Sequence, residues 1–87
     1  MITELIGQTV VVDLSSSFVC LGTLTRMDER FLELKNADLH DLRDTETTRE
    51  NYVAASKMTG VHRNRKKVYV ARSEVVAVAR LADVVDE

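Results

Sequence analysis

The chain has 87 residues, 45% of them apolar and 30% charged, with a net charge of −2. That length fits one small domain with a modest core, and the mixed charge argues against a disordered chain. No apolar run approaches the roughly 20 residues of a membrane span, and Cys20, the only cysteine, has no partner for an intrachain disulfide. The start, Met1-Ile2-Thr3-Glu4, lacks the basic-then-apolar pattern of a signal peptide. A cytoplasmic protein without membrane contact is expected. The charge is unevenly spread. Residues 28–50 hold eight acids and four bases, whereas residues 61–72 hold Arg63, Arg65, Lys66, Lys67 and Arg72 and no acid. A local basic stripe of this kind can meet phosphate even on an acidic protein, because screening confines fields to about 8–10 Å.

In chain order, Thr3-Glu4-Leu5-Ile6-Gly7 predicts a short helix, with Thr3 as its cap and Gly7 as its stop. So short a helix must pack Leu5 and Ile6 on something to persist. Thr9 to Leu14 reads as a strand, with Val10, Val12 and Leu14 on one face and Asp13 on the other. Ser15-Ser16-Ser17 is a turn, and Phe18 to Met27 a second strand interrupted by Gly22. A glycine inside a strand marks a sharp bend or a close backbone approach. Cys20 lies in the apolar part of this strand, where a buried, inert thiol is expected. Asp28-Glu29-Arg30 turns the chain into a third strand from Phe31 to about Leu42.

Residues 43–66 are too long and polar for a hairpin link. Thr47 with Glu50 three residues later has the form of a capping box, and Gly60 can end a helix. The segment is either a short helix or a mobile loop. Lys67 to Ala71 is a fourth strand, Arg72-Ser73-Glu74 a short connection, and Val75 to Leu81 a fifth strand. The near-continuous apolar run of the fifth strand predicts burial on both faces, one of them by a neighbouring subunit. No internal repeat, proline or low-complexity tract divides the chain, so residues 1–87 form one domain with an insertion at about 43–66.

Val10-x-Val12-x-Leu14, a polar turn, Gly22-x-Leu24 and Asp28 resemble the first signature motif of the Sm and Sm-like RNA-binding proteins. Phe31-Leu32-x-Leu34 follows one residue closer than is usual there. The second motif is echoed by Val68 to Val76, without its glycine: Ser73 takes that place if Arg72 matches the family's arginine. The resemblance covers nearly the whole chain apart from 43–66. It implies a mainly all-β fold, an N-terminal helix followed by a five-stranded, strongly bent antiparallel barrel of SH3-like type. It further implies a homo-oligomeric ring of five to seven subunits, in which the fourth strand of one subunit pairs with the fifth of the next. Single-stranded RNA would bind near the pore. Carried over, Asp28 orders the turn, Arg30 or Phe31 falls where the family has its stacking residue and its asparagine, and Arg72 completes the pocket. The asparagine itself is absent, so weak sequence selectivity and strong salt dependence are expected.

Each of these residues also has a plainer role. Asp28 can simply accept backbone hydrogen bonds. Phe31, alternating with Glu33, and Phe18 read as core residues. Arg72 suits a solvated strand end, though like charges repeated around a pore favour an anion there. The run of Arg63, Arg65, Lys66 and Lys67 is either a solvated loop or a phosphate-contacting edge, and Tyr69 either packs at the surface or stacks a base. Enzyme chemistry finds little support. His40 and His62 lack partners at metal-ligand spacing, Ser15 to Ser17 is not a nucleophile elbow, and three glycines form no phosphate loop. No metal or other cofactor is expected. The alternative function is a ring-forming module that binds no RNA and holds a protein partner through residues 43–66.

Overall fold

A computed structural model describes residues 1–85. Five strands form one antiparallel sheet: β1 (Thr9–Leu14), β2 (Phe18–Met27), β3 (Phe31–Asp41), β4 (Arg65–Ala71) and β5 (Val75–Arg80), in the order β4-β3-β2-β1-β5. The expected closed barrel is not formed. β4 and β5 stand at opposite edges of an open sheet and do not pair with each other. The cause lies in the connection Arg72–Glu74, a single 3-10 turn. Its first residue donates its N–H to the Arg30 carbonyl (2.7 Å), beside β3, and its last accepts from the Ser15 N–H (2.8 Å), beyond the end of β1. Pinned at both ends, the turn carries the chain from one edge to the other instead of folding β5 back on β4.

Of the two expectations for Gly22, the close backbone approach is the one realised. Leu21 faces Asp38 but Thr23 faces Lys35, so β3 carries one extra residue opposite Gly22. Asn36 takes up that bulge with φ of 50°, a left-handed conformation that asparagine tolerates better than most residues. A Cβ at position 22 would lie 3.0 Å from Ala37 Cβ, 3.1 Å from Ala37 Cα and 3.1 Å from the Lys35 carbonyl oxygen.

The sheet buries both faces. On one, Val10, Val12, Cys20, Leu24, Leu32, Leu34, Ala37 and Val70 make the main core, closed by Ile2 and Leu5 of an N-terminal 3-10 turn. That turn spans Ile2–Leu5 and Thr3 does not cap it, contrary to expectation. Leu5 packs inward while Ile6 remains 44% exposed. Burial raises the Cys20 thiol to about 12 and leaves it un-ionised. On the other face, Val11, Val19 and Leu21 meet Val53 of a helix, α1 (Arg49–Thr59).

Of the two readings of 43–66, the helix is the one realised. Its cap is Thr48, whose hydroxyl accepts the Asn51 N–H at 3.1 Å, rather than Thr47. Gly60, at φ of 91°, ends it. Eleven residues would be marginal as an isolated helix. Burial of apolar side chains, about 1.5–3 kcal/mol each, therefore holds it on the sheet. Arg49 pairs with Asp13 on β1 (3.4 Å), and Tyr52 stacks on His40 with ring centroids 4.1 Å apart. The Tyr52 hydroxyl donates to the buried carboxylate of Asp38. Asn64 closes the segment like a strand residue: its side chain accepts the Leu39 N–H and donates to the Leu39 carbonyl, both at 3.0 Å.

Within the single subunit, Val76, the extra residue where β5 shifts register against β1, is 69% exposed; cover of this strand by a neighbouring subunit is an expectation about the assembly. One further expectation is corrected. Phe18 is half-buried and lies outside the buried cores.

Gly22→Val drives a branched side chain into backbone and Ala37. The overpacking is expected to cost about 1–3 kcal/mol, enough to lower the melting temperature by roughly 5 °C or more in a domain of this size. An unchanged melting temperature contradicts the close approach. Tyr52→Phe leaves the Asp38 carboxylate short of one donor and is expected to lose about 1–3 kcal/mol in urea unfolding.

Candidate functional site

The residues singled out near the Asp28 turn come together at one end of the sheet. The Asp28 carboxylate accepts the N–H groups of Arg30 (2.7 Å) and Phe31 (2.8 Å), which is the turn-ordering role expected of it. Those two bonds, first of all, hold its pKa below the usual carboxylate range. Arg72 arrives from the far side of the chain and donates from Nη1 to the Asp28 carbonyl at 2.6 Å. Arg30, Arg72 and Ser73 are exposed.

Phe31 is not a core residue: it is 43% exposed. It lies two positions from Glu33 in an extended strand, so the two share a face and do not alternate. The core face of β3 belongs to Leu32 and Leu34. On the Phe31 face, Glu33 stands opposite both Arg26 of β2 and Tyr69 of β4. With Met27 and Asp28 these side chains line a hollow of about 180 Å³. Its floor is charged. β2 carries an extra residue, Thr25, between Leu24 and Arg26. The Thr25 hydroxyl donates to Glu33 Oε1 at 2.7 Å, and Arg26 Nη2 to Oε2 at 2.9 Å. The hydroxyl first and the guanidinium second lower the Glu33 carboxyl from its ordinary 4.5 to about 2. Tyr69, 54% exposed, forms the far wall.

The grouping of Arg26, Glu33 and Thr25 is not visible in the sequence, which leaves Tyr69 between two roles. Opposed charges on facing strands were the available signal, but the bulge at Thr25 shifts the register by one and hides the pairing. The basic run is split. Arg63 turns back to the bulge and donates to Asn36 Oδ1 at 2.7 Å. Arg65, Lys66 and Lys67 are exposed on edge strand β4, which begins at Arg65 and not at Lys67. Charges there shield an open edge from indiscriminate pairing.

Among the described residues, no group of three or more His, Cys, Asp or Glu is placed to hold a metal ion, and no helix is long and apolar enough to cross a membrane. No protein-family model matches the sequence, and neither does any curated protein.

The depressed Glu33 carboxyl sets a pH dependence. Its contribution to stability is fully present above the unfolded value near 4.5 and is lost as pH falls towards 2. Denaturant unfolding of the native chain is therefore expected to weaken more steeply across that window than that of Glu33→Gln. Parallel curves for the two proteins contradict the assignment.

Proposed function

We propose that the protein is a non-catalytic, Sm-like subunit that assembles into a homo-oligomeric ring and binds short single-stranded RNA at the Asp28–Arg72 end of its sheet. One observation carries the reading. Arg72 lies directly on the Asp28 turn, although the two are 44 residues apart in the chain. The resemblance gives RNA-contacting roles to these two segments independently. Beside them, Phe31 and Tyr69 offer exposed rings on which bases can stack, each such contact worth about 1–3 kcal/mol. Arg30 and Arg72 supply charge without a base-edge code, which favours weak sequence selectivity.

Assembly is supported by the two sheet edges. β4 pairs only with β3, and β5 only with β1. Each outer edge therefore offers unpaired backbone groups beside apolar side chains, Val68 and Val70 on β4 and Val75, Val76 and Val78 on β5. Pairing β4 of one subunit with β5 of the next satisfies both edges, and repetition of that contact closes a ring.

The test combines solution mass with fluorescence anisotropy of short U-rich and A-rich RNA at low and physiological salt. The native chain is expected to run as a closed oligomer and to bind saturably, more weakly as salt rises. Arg72→Ala is expected to weaken binding at least tenfold without changing the mass. A ring that binds no RNA at low salt overturns the RNA reading and favours a protein-holding ring. A monomer overturns the assembly.

A further inference from the structure

α1 does more than cover Val11, Val19 and Leu21. Between its C-terminal end, the Gly22 crossing and the 3-10 turn Leu81–Asp83 lies a cleft of about 620 Å³. That volume is within the range of about 300–1,000 Å³ typical of small-molecule sites. Three cations line it, Lys57, Arg63 and Arg80, and among the described residues no carboxylate does. Arg80 is answered by Asp83 just outside, at 2.8 and 3.1 Å. Among the described residues, Lys57 and Arg63 are answered by neutral oxygens alone. Lys57 Nζ donates to the carbonyls of Ala82 (3.1 Å) and Val84 (2.6 Å), which fixes the ammonium in the cleft wall with one donor to spare. Arg63 Nη1 is held by Asn36 Oδ1 at 2.7 Å, and most of its five donors stay available. Among the described residues, the cleft thus holds two positive charges without acidic partners, on side chains already oriented. Gln8, Thr9, Thr23 and Ser56 add neutral donors and acceptors to its lining.

Such a site matches a small dianion carried on a polar body. We propose that this cleft binds the phosphate group of a nucleotide, with Arg63 and Lys57 holding the phosphate and the polar groups around Thr23 and Gln8 meeting the sugar and base. A guanidinium grips phosphate oxygens in paired, charge-assisted hydrogen bonds, and an ammonium serves as a point charge beside it. The cleft shares no lining residue with the hollow at the Asp28–Arg72 end. The phosphate can belong to a free mononucleotide or to the 5′ end of an RNA strand.

Calorimetric titration of the full chain with uridine monophosphate, adenosine monophosphate and uridine, at low and physiological salt, tests the proposal. Anisotropy with 5′-phosphorylated and 5′-hydroxyl versions of one oligonucleotide runs alongside. The expected result is saturable, salt-weakened binding of the monophosphates and none of uridine, reduced at least tenfold in Arg63→Gln, whose response to the 5′-hydroxyl oligonucleotide is unchanged. Binding confined to the 5′-phosphorylated oligonucleotide, with the same sensitivity to Arg63→Gln, supports the cleft and identifies a strand end as its ligand. Equal binding of uridine and its monophosphate overturns the proposal, as does a full response in a folded Arg63→Gln. Failure of every phosphate-bearing ligand at low salt also overturns it. Should Arg63→Gln not fold, the comparison of monophosphate with uridine on the native chain decides alone. Because the 5′-hydroxyl oligonucleotide lacks the terminal phosphate, loss of this site and loss of RNA binding at the other end are separable.

Discussion

The passage of β3 across Gly22 is the constraint on which the rest of the molecule depends. With Ala37 and the Lys35 carbonyl oxygen within 3.1 Å of where a Cβ would stand, the two central strands approach more closely than side chains normally allow. The extra residue needed to cross that point is Asn36, in a left-handed conformation. The bulge increases the local twist and lets one sheet serve two cores. Val10, Val12 and Cys20 line the first, while Val11, Val19 and Leu21 line the second. Both candidate sites follow from the same geometry. Asn36 holds Arg63 at the cleft, and the far ends of β2 and β3 bring Asp28 to Arg72.

Polar contacts are concentrated where the sheet is irregular. The bulge at Thr25 lets its hydroxyl reach Glu33, and with Arg26 it keeps a carboxylate ionised within a largely buried position. The bulge at Asn36 frees an amide oxygen for Arg63. At Asp38 the buried carboxylate draws its donors from α1 and from Asn64, so the 43–66 segment is attached through the group that most needs partners. Register shifts here are what place polar side chains where regular pairing would put none.

Local patterns made much of the fold legible. β1 and β2 have the predicted ends because Val10 and Val12 alternate with Asp13, and because the serine run and Asp28 punctuate the chain. Gly22 marked the close approach for the reason the structure displays. Whatever depended on long-range geometry was hidden. The chain between β4 and β5 is only Arg72–Glu74, and nothing in those residues tells whether it folds back or crosses to the other edge. Thr47 and Thr48 are equally good caps by type, and the choice is made where Arg49 can reach Asp13. Phe31 and Glu33, two apart, share a face, and the burial of Glu33 there depends on a bulge that has no sequence signature. The Asp28 turn was readable because an aspartate that binds two following N–H groups is a local device. The Arg63–Lys57 cleft was not, because its cations come from different elements.

The second core ties the composition of the sheet to the presence of α1. Val11, Val19 and Leu21 are covered by the helix that residues 43–66 supply, and without it they would form a continuous apolar patch on the face of an open sheet, a surface prone to aggregation. A relative in which this segment shrinks to a tight turn must therefore carry polar residues at those three strand positions, or else another partner must cover them. Insertion length and the character of alternate strand residues are thus expected to vary together across homologous sequences, so that a sequence can be sorted into the helix-covered or the uncovered architecture from three residues far from the insertion itself.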